Sequence, residues 1–319
     1  MKRTGFELGI FAPFLEEKHK ARIEETAARY GVRILYAPED VSGLEAVFGT
    51  LPNARLAEAK KLRWFAGSWA GVDGVLNGSP RLSDKVMISC SSGCYGVTIS
   101  EHIVMAVLML LRREPEYFRM TEERGWAPLE PMRTVFGSTV TVVGCGDIGR
   151  STALRLKALG AARVRGVRRS KAEPDEVFDE MYQTAELTEA LSDTDIVVLC
   201  MPGTEETKAL ISREVIDSLS PRTVLVNVGR GTAIDQEALC EALNEGRLAG
   251  AALDVTVPEP LPAGHPLWSA KNILITPHVS GRTSASVTRD LIVDKFLRNL
   301  VAYCEGKPLE NVVDRRKGY

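Results

Sequence analysis

The chain has 319 residues, of which 45% are hydrophobic and 26% are charged, and its formal net charge is −2. This length accommodates two domains of ordinary size, and the composition is typical of a globular protein. The near balance of charge provides no global attraction to nucleic acid or to a membrane surface, and no apolar run approaches the ~20 residues of a membrane span. We therefore expect a cytoplasmic protein that binds neither nucleic acid nor membrane. The six cysteines contain no C-x-x-C pair, so we expect neither disulfides nor a metal site.

Strand-like and helix-like segments alternate along the first third of the chain. The predicted strands there cover residues 6–11, 33–36, 62–66 and 86–89. Residues 16–30 predict a charged helix that ends at Gly31, with His19 facing solvent. The apolar pattern at 100–120 predicts a long helix with a break near Pro115. Such alternation is typical of a parallel sheet covered by helices.

A second series of strands begins after Ser138, and residues 286–303 predict a final helix. These predicted strands cover residues 139–143, 163–167, 195–200, 223–228, 250–255 and 272–276. A G-x-G-x-x-G turn, formed by Gly144, Gly146 and Gly149, follows the first of them and precedes a helical pattern. In that context the glycines allow a tight turn, approach of a pyrophosphate and close packing of helix on strand. The pattern predicts dinucleotide binding, although a glycine-rich turn without a ligand is the alternative.

Ordered sequence blocks outside the glycine turn carry further information. They are GSWAGVD at 67–73, EH at 101–102, VGCGDIG at 143–149, NVGRG at 227–231, LDV at 253–255, PEPLP at 258–262 and TPHVSG at 276–281. Together these blocks resemble the D-isomer-specific 2-hydroxyacid dehydrogenases, which include glyoxylate/hydroxypyruvate reductases and phosphoglycerate dehydrogenases. The similarity extends from about Trp64 to about Arg282.

The resemblance implies an α/β fold with two doubly wound parallel-sheet domains. Residues 1–98 and 288–319 would form a flavodoxin-like substrate domain, and residues 99–287 a Rossmann dinucleotide-binding domain, with the active site in the cleft. In the family the helix matching 100–120 lies partly at a twofold dimer contact, so we expect a homodimer. The alternative for this helix is simple core packing.

The resemblance assigns catalysis to Arg230, Glu259 and His278. His278 would donate a proton to the carbonyl oxygen, and Glu259 would hydrogen-bond one imidazole nitrogen and favour the protonated ring. Arg230 would bind the substrate carboxylate and stabilise the developing alkoxide. Taken singly, each has a plainer interpretation: a surface arginine, a capped glutamate and a histidine in a turn.

The remaining predicted site residues bind substrate or cofactor. Backbone N–H groups of Trp69, Ala70 and Gly71 would join Arg230 in binding the substrate, and Trp69 would line the pocket or merely pack at the cleft. The predicted cofactor-binding residues are Gly144, Gly146, Asp147, Ile148, Gly149, Arg168, Arg169, Ser170, Met201, Pro202 and Asp254. Asp254 would hold the nicotinamide carboxamide. The side chain of Asp147 must point away from the pyrophosphate or cap the helix start.

The residues after the second strand of the nucleotide fold indicate which cofactor is used. NAD-binding members carry an acid there that binds the ribose 2′-hydroxyl. This chain has Arg168, Arg169, Ser170 and Lys171 instead, which would bind a 2′-phosphate. We therefore expect NADP(H) to be preferred, with NAD(H) possible. A solvated basic patch is the alternative.

These residues predict an NADP(H)-dependent oxidoreductase that reduces a small 2-keto acid, such as glyoxylate or hydroxypyruvate, to the D-2-hydroxy acid. A nucleotide-sensing, corepressor-like interaction protein on the same scaffold is the main alternative. A formate dehydrogenase would carry glutamine in place of Glu259, and a degenerate homologue would bind cofactor without turnover. The sequence does not specify which 2-keto acid is the substrate.

Overall fold

The computed structural model describes residues 2–318, which form two compact units. The first unit comprises the described residues up to Tyr95 and those from Arg282 onward, and the second is Gly96–Gly281. The predicted domain limits were 98/99 and 287/288. The assignment of substrate binding to one unit and dinucleotide binding to the other stays a prediction.

The first unit is built on a five-stranded parallel sheet. Its strands are β1 (Glu7–Phe11), β2 (Arg33–Tyr36), β3 (Ala46–Gly49), β4 (Trp64–Gly67) and β5 (Met87–Ser89). They are arranged β2-β1-β3-β4-β5, with every neighbouring pair parallel. This is the flavodoxin-like order. Strand β3 was not predicted, although it is fully buried between β1 and β4.

Four helices cover this sheet. They are α1 (Glu17–Ala28), α2 (Asn53–Leu56), α3 (Asp73–Leu76) and, from the C-terminal part of the chain, the helix Ser286–Glu305. Aromatic rings join that last helix to the sheet, since the rings of Phe48 and Phe296 stack with centroids 3.8 Å apart. Trp64 stacks on Tyr303 of the same helix at 5.0 Å.

The expectation that His19 faces solvent was wrong. Its side chain is fully buried, with Nε2 2.7 Å from Asp290 Oδ1. Its Nδ1 accepts a hydrogen bond from the N–H of Glu16 at 3.1 Å. The imidazole is therefore satisfied inside the contact between α1 and the C-terminal helix, because its polar partner comes from a distant part of the sequence.

The second unit contains a seven-stranded parallel sheet. Its strands are β6 (Thr139–Val143), β7 (Arg163–Arg168), β8 (Glu180–Gln183), β9 (Ile196–Leu199), β10 (Val224–Asn227), β11 (Gly250–Leu253) and β12 (Ile273–Ile275). The order is β12-β11-β10-β9-β6-β7-β8, with all pairs parallel. The chain direction across the sheet reverses between β6 and β9, which is the topological switch point of a Rossmann fold. Only β8, at the edge, was not predicted.

Six helices flank this sheet. They are α4 (Gly96–Leu111), α5 (Glu114–Glu122), α6 (Asp147–Ala158), α7 (Leu187–Leu191), α8 (Arg213–Ser218) and α9 (Gln236–Asn244). We label the C-terminal helix of the first unit α10. The long helix predicted at 100–120 breaks at Arg113, whose φ is 60°, and Pro115 lies in the first turn of α5. Within residues 2–318, none of the helices has the length and apolar character needed to cross a bilayer.

Candidate active site

The glycine turn after β6 has the geometry that its sequence predicts. Gly144 has φ +100°, and a Cβ atom there would lie 2.7 Å from the backbone nitrogen of Met201. A Cβ at Gly149 would lie 2.0 Å from the carbonyl oxygen of Gly144. At Gly146, in contrast, a Cβ would meet nothing within 4 Å. The first and third glycines are thus required by packing, and the second leaves open space beside the backbone.

Helix α6 begins directly after this open glycine. Gly146 is its N-cap, and no side chain caps the helix. The first N–H groups of the helix have no intrahelical acceptor, and they lie at the positive end of its dipole. The turn therefore fits an anionic pyrophosphate, to which the backbone N–H groups of Asp147 and Ile148 would donate.

The side chain of Asp147 lies against helix α4. A Cβ at Gly96, the first residue of α4, would lie 2.4 Å from Asp147 Oδ1. Negative charge is favourable at a helix N-terminus, so this carboxylate is well placed beside the start of α4. The expectation that it points away from a bound pyrophosphate or caps its own helix stays a prediction. Its Oδ2 atom is buried and accepts no hydrogen bond from the part of the chain that the structure describes.

The end of β7 and the segment after it expose positive charge. Arg168, Arg169 and Ser170 are all exposed, and Arg169 forms an ion pair with Glu206 at 3.5 Å. Asp175, further along this segment, is paired with Arg150 at 2.5 Å. Hydrogen bonds from the Arg150 side chain and from backbone N–H groups lower the pKa of Asp175 to about 2. The charge of Asp175 is thus balanced by the guanidinium of Arg150.

The end of β9 lies beside the glycine turn. Met201 is buried, and its backbone contacts both Gly144 and the loop after β10, since a Cβ at Gly229 would lie 2.6 Å from Met201 O. Pro202 is exposed, and its carbonyl accepts a hydrogen bond from Thr207 Oγ1 at 2.8 Å. Met201 and Pro202 therefore line the switch point at which a dinucleotide would cross the sheet.

Arg230 is held in a loop that is fixed at its base by Asn227. The Asn227 amide donates to Arg230 O at 2.9 Å and accepts from the N–H of Gly229 at 3.0 Å. Gly231 packs so closely that a Cβ there would lie 2.3 Å from the carbonyl carbon of Thr256. The buried Asn227 was missing from the predicted site, although it opens the sequence block that contains Arg230.

Glu259 and His278 form a hydrogen-bonded pair. Glu259 Oε2 lies 2.9 Å from His278 Nδ1, and its Oε1 accepts the N–H of Thr256 at 3.2 Å. Because Nδ1 faces the carboxylate, Nε2 is the ring nitrogen that remains for a ligand. The side chain of His278 is 49% exposed and that of Glu259 is 40% exposed, so a small molecule can reach them.

Asp254 fixes the loop that carries His278. Its carboxylate, in a residue only 3% exposed, accepts hydrogen bonds from Thr276 Oγ1 at 2.6 Å and from the N–H groups of Val279 and Ser280 at 2.9 and 3.0 Å. Its backbone oxygen accepts from the N–H of His278 at 2.8 Å. Burial alone would raise the pKa of Asp254, but these hydrogen bonds outweigh burial and lower it. This positioning role was not predicted, and contact with a nicotinamide carboxamide stays a prediction.

The sheet topology brings the three predicted catalytic residues to one edge. Arg230 follows β10, Glu259 follows β11 and His278 follows β12, and these strands are adjacent. Parallel neighbours lie ~4.8 Å apart, so their carboxyl ends span only about 10 Å. His102, from the EH block at 101–102, lies with its Nε2 3.4 Å from Thr276 Oγ1 and is partly buried.

The predicted substrate loop belongs to the first unit, directly after β4. The backbone N–H groups of Trp69, Ala70 and Gly71 have no acceptor among the described residues, whereas Trp69 O accepts the N–H of Ser91 at 2.8 Å. The Trp69 ring packs edge-on against Phe65 at 5.7 Å and covers Gly67. Packing within its own unit is therefore an observed role of this ring, and pocket lining stays a prediction.

Comparison with known proteins decides the family. A family model described as the NAD binding domain of D-isomer specific 2-hydroxyacid dehydrogenases matches residues 104–280, more than half of the chain. The chain belongs to this dehydrogenase family. The family and the two-sheet α/β fold predicted for it are both confirmed.

The dehydrogenase has relatives that match it over nearly its whole length. It is 30% identical to glyoxylate/hydroxypyruvate reductase A of Serratia proteamaculans, over 97% of this chain and 99% of the relative. A D-isomer specific 2-hydroxyacid dehydrogenase from Xanthobacter autotrophicus, solved in complex with NADPH and MES, matches with TM-score 0.84 and 29% identity over 99% and 100% of the two chains. An NADPH-dependent glyoxylate/hydroxypyruvate reductase from Sinorhizobium meliloti, solved with NADP and sulfate, matches with TM-score 0.82 and 28% identity over 98% and 100%. The prediction of a dehydrogenase is confirmed by these matches together with the family.

Proposed function

We propose that this dehydrogenase uses NADP(H) to reduce a small 2-keto acid of the glyoxylate/hydroxypyruvate class to the D-2-hydroxy acid. The observation that carries the proposal is the Glu259–His278 pair, 2.9 Å apart, on strand ends adjacent to that of Arg230. A general acid, a carboxylate that orients it and a guanidinium are what reduction of a 2-keto acid requires of the protein. Relatives described as glyoxylate/hydroxypyruvate reductases support the substrate class.

The nicotinamide ring, when bound, supplies the hydride. The side chains donate the proton and stabilise the charges that develop. His278 Nε2 donates a proton to the carbonyl oxygen as negative charge develops there. Glu259 holds the opposite nitrogen and compensates the positive charge of the imidazolium before transfer. Arg230 grips the substrate carboxylate in a fixed fork. In the oxidation direction the neutral imidazole accepts the proton from the hydroxyl.

The preference for NADP(H) rests on the end of β7 and the segment after it. Arg168, Arg169 and Ser170 stand there exposed, and Asp175 is neutralised by Arg150. A 2′-phosphate would gain charge-assisted hydrogen bonds of roughly 1.5–3 kcal/mol each, less where water competes. Two structural relatives were solved with NADPH or NADP, in agreement with this assignment.

We assign the unpaired N–H groups of Trp69, Ala70 and Gly71 to the substrate carboxylate, as the resemblance implies. The first unit would thereby be the substrate domain and the second unit the dinucleotide-binding domain.

We also propose that the enzyme is a homodimer. Large apolar side chains are exposed on consecutive helices of the second unit and on the segments between them, namely Met105, Leu108, Phe118, Trp126, Phe136, Leu154 and Leu159. Trp126 is 101% exposed, which is unusual for an indole without a partner. Light scattering after gel filtration should give twice the chain mass for the wild type and the monomer mass for Leu108→Glu with Phe118→Glu. A monomeric wild type at micromolar concentration would contradict the dimer.

The activity is tested by following NADPH absorbance with a panel of 2-keto acids. His278→Ala should lower kcat by ~10²–10⁴-fold, the usual contribution of general acid catalysis, while the Kd for NADPH stays near the wild-type value. His265→Ala is the matched control, because His265 only caps a short helix through the N–H of Leu267. NADPH binding without turnover of any keto acid would instead favour the nucleotide-sensing, corepressor-like alternative. Unchanged turnover in His278→Ala would show that the proton comes from another group.

A further inference from the structure

A groove on the first unit, away from the residues discussed above, is lined by positive charge. It has a volume of about 670 Å³, and its charged lining residues are Arg3, Glu45, Lys60, Lys61, Arg63 and Lys85. Five cations thus surround a single carboxylate. The whole chain carries a net charge of −2, so this concentration of positive charge is local.

The groove lies at the amino edge of the five-stranded sheet. Glu45 precedes β3, Arg63 precedes β4 and Lys85 precedes β5 by two residues. Backbone hydrogen bonds tie these starts together, from Arg63 N to Glu45 O and from Met87 N to Arg63 O, both 2.8 Å long. The loop that begins at Ser68 leaves the opposite end of β4, about 13 Å away for a four-residue strand. The groove is therefore distinct from the predicted substrate loop.

The one carboxylate in the groove already has protein partners. Glu45 Oε1 accepts a hydrogen bond from the Tyr303 hydroxyl at 2.9 Å and lies 3.4 Å from the guanidinium of Arg3. Arg3 also stacks over the Tyr303 ring, 4.8 Å from its centroid. These contacts form one wall of the groove, and Arg3 balances the negative charge of Glu45.

The other four cations have no carboxylate within 4.0 Å among residues 2–318: Lys60, Lys61, Arg63 and Lys85. All four are exposed, whereas most other ionised side chains of this unit are paired, for example Lys20 with Glu17 and Arg33 with Glu7. Unpaired like charges in one concavity repel each other and concentrate anions from solution.

We propose that this groove binds a small molecule that carries at least two linked phosphoryl groups. Its volume is that of a small-molecule site, for which ~300–1,000 Å³ is usual. The cations lie at the starts of two neighbouring strands and in the turns before them, and a short polyphosphate would present several anionic groups to them at once. Leu62 and Met87 give the groove a limited apolar lining, and Tyr303 is occupied by Arg3 and Glu45. The groove would therefore recognise the phosphoryl groups of the ligand and not an apolar part of it.

Calorimetric titration of the full chain with sodium tripolyphosphate tests the proposal. The titration is done at low salt with saturating NADP present, so that the glycine turn is not the site measured. We expect a Kd below about 1 mM, with binding weakened at least tenfold in Lys61→Glu with Lys85→Glu, since a charge-assisted contact changes Kd by roughly tenfold. Lys20→Glu with Lys317→Glu is the matched control, because it changes the net charge equally at two positions of the same unit outside the groove, of which Lys20 is partly exposed and Lys317 is exposed.

Three results would overturn the proposal. One is an equal loss of affinity in the groove and control variants, which would indicate only a net-charge effect. Another is equal affinity for inorganic phosphate and tripolyphosphate, which would contradict recognition of linked groups. The third is binding of a homopolymeric RNA without binding of tripolyphosphate. None of these results depends on turnover of a keto acid. The proposed reaction and the proposed groove ligand can therefore be contradicted independently of each other.

Discussion

The substitution Gly146→Ala should weaken cofactor binding without changing the stability of the fold. Gly146 has φ −79° and ψ −160°, which an alanine adopts without strain. A Cβ there meets nothing within 4 Å, so the free energy of unfolding should change by less than about 0.5 kcal/mol. The added methyl group would, however, project beside the backbone that a pyrophosphate must approach. We expect the Kd for NADPH to rise at least tenfold with an unchanged melting temperature.

Gly149→Ala is the matched comparison, because the same methyl group is added three residues later. Its Cβ would lie 2.0 Å from Gly144 O, so backbone must move, at a cost of roughly 1–3 kcal/mol or more. This variant should melt several degrees lower. Fluorescence titration with NADPH and differential scanning calorimetry give the two quantities. If both variants lost stability equally, or if Gly146→Ala bound NADPH as tightly as the wild type, the assignment of the turn would be wrong.

Three further outcomes follow from individual side chains. Arg168→Asp should lower the ratio of kcat/KM for NADPH to that for NADH at least tenfold, and an unchanged ratio would show that the exposed arginines do not bind a 2′-phosphate. Asp254→Asn turns one oxygen that accepts backbone N–H groups into a donor; it should cost about 1–3 kcal/mol of stability and lower kcat, measured by thermal melts and NADPH oxidation. Hydrogen bonds from Lys18 and then His19 lower the pKa of Asp290 to about 2, so the stability that its ionised form contributes is present above pH ~4 and is lost as the pH falls toward 2. The melting-temperature difference between wild type and Asp290→Asn should accordingly shrink between pH 6 and pH 3, and a difference independent of pH would contradict this account.

The parts of the fold that could be predicted are those with a repeating signal. Buried strands such as β9, and β10 up to Val226, are continuous apolar runs because helices cover both faces of a parallel sheet. Strand β3 has the same burial, but its three apolar residues before Gly49 and the loop after it are too short a run to identify. Strand β8 (Glu180–Gln183) has an edge position and polar residues at both ends, and its first three residues are only partly buried while the fourth is exposed. Neither periodicity nor composition marks such a segment as a strand.

The same distinction applies to the candidate site. The turn at Gly144, Gly146 and Gly149 could be predicted because glycine allows backbone conformations and close contacts that other residues do not, and its spacing can be read from one sequence. The positioning role of Asp254 depends on hydrogen bonds to a loop more than twenty residues away, and a sequence shows no such partner. The basic groove could not be predicted for the same reason, because its cations become neighbours only when the parallel strands align their amino ends.

The backbone of His278 has a consequence for how this enzyme can lose its activity. Its φ of 51° is a left-handed conformation, which costs an L residue roughly 1–2 kcal/mol and which glycine and asparagine adopt more readily. Replacement by glycine would relax the loop while removing the imidazole. In the proposed mechanism the imidazole is the proton donor, so selection for stability alone would favour a more stable but inactive protein at this position, and selection for turnover would oppose that change.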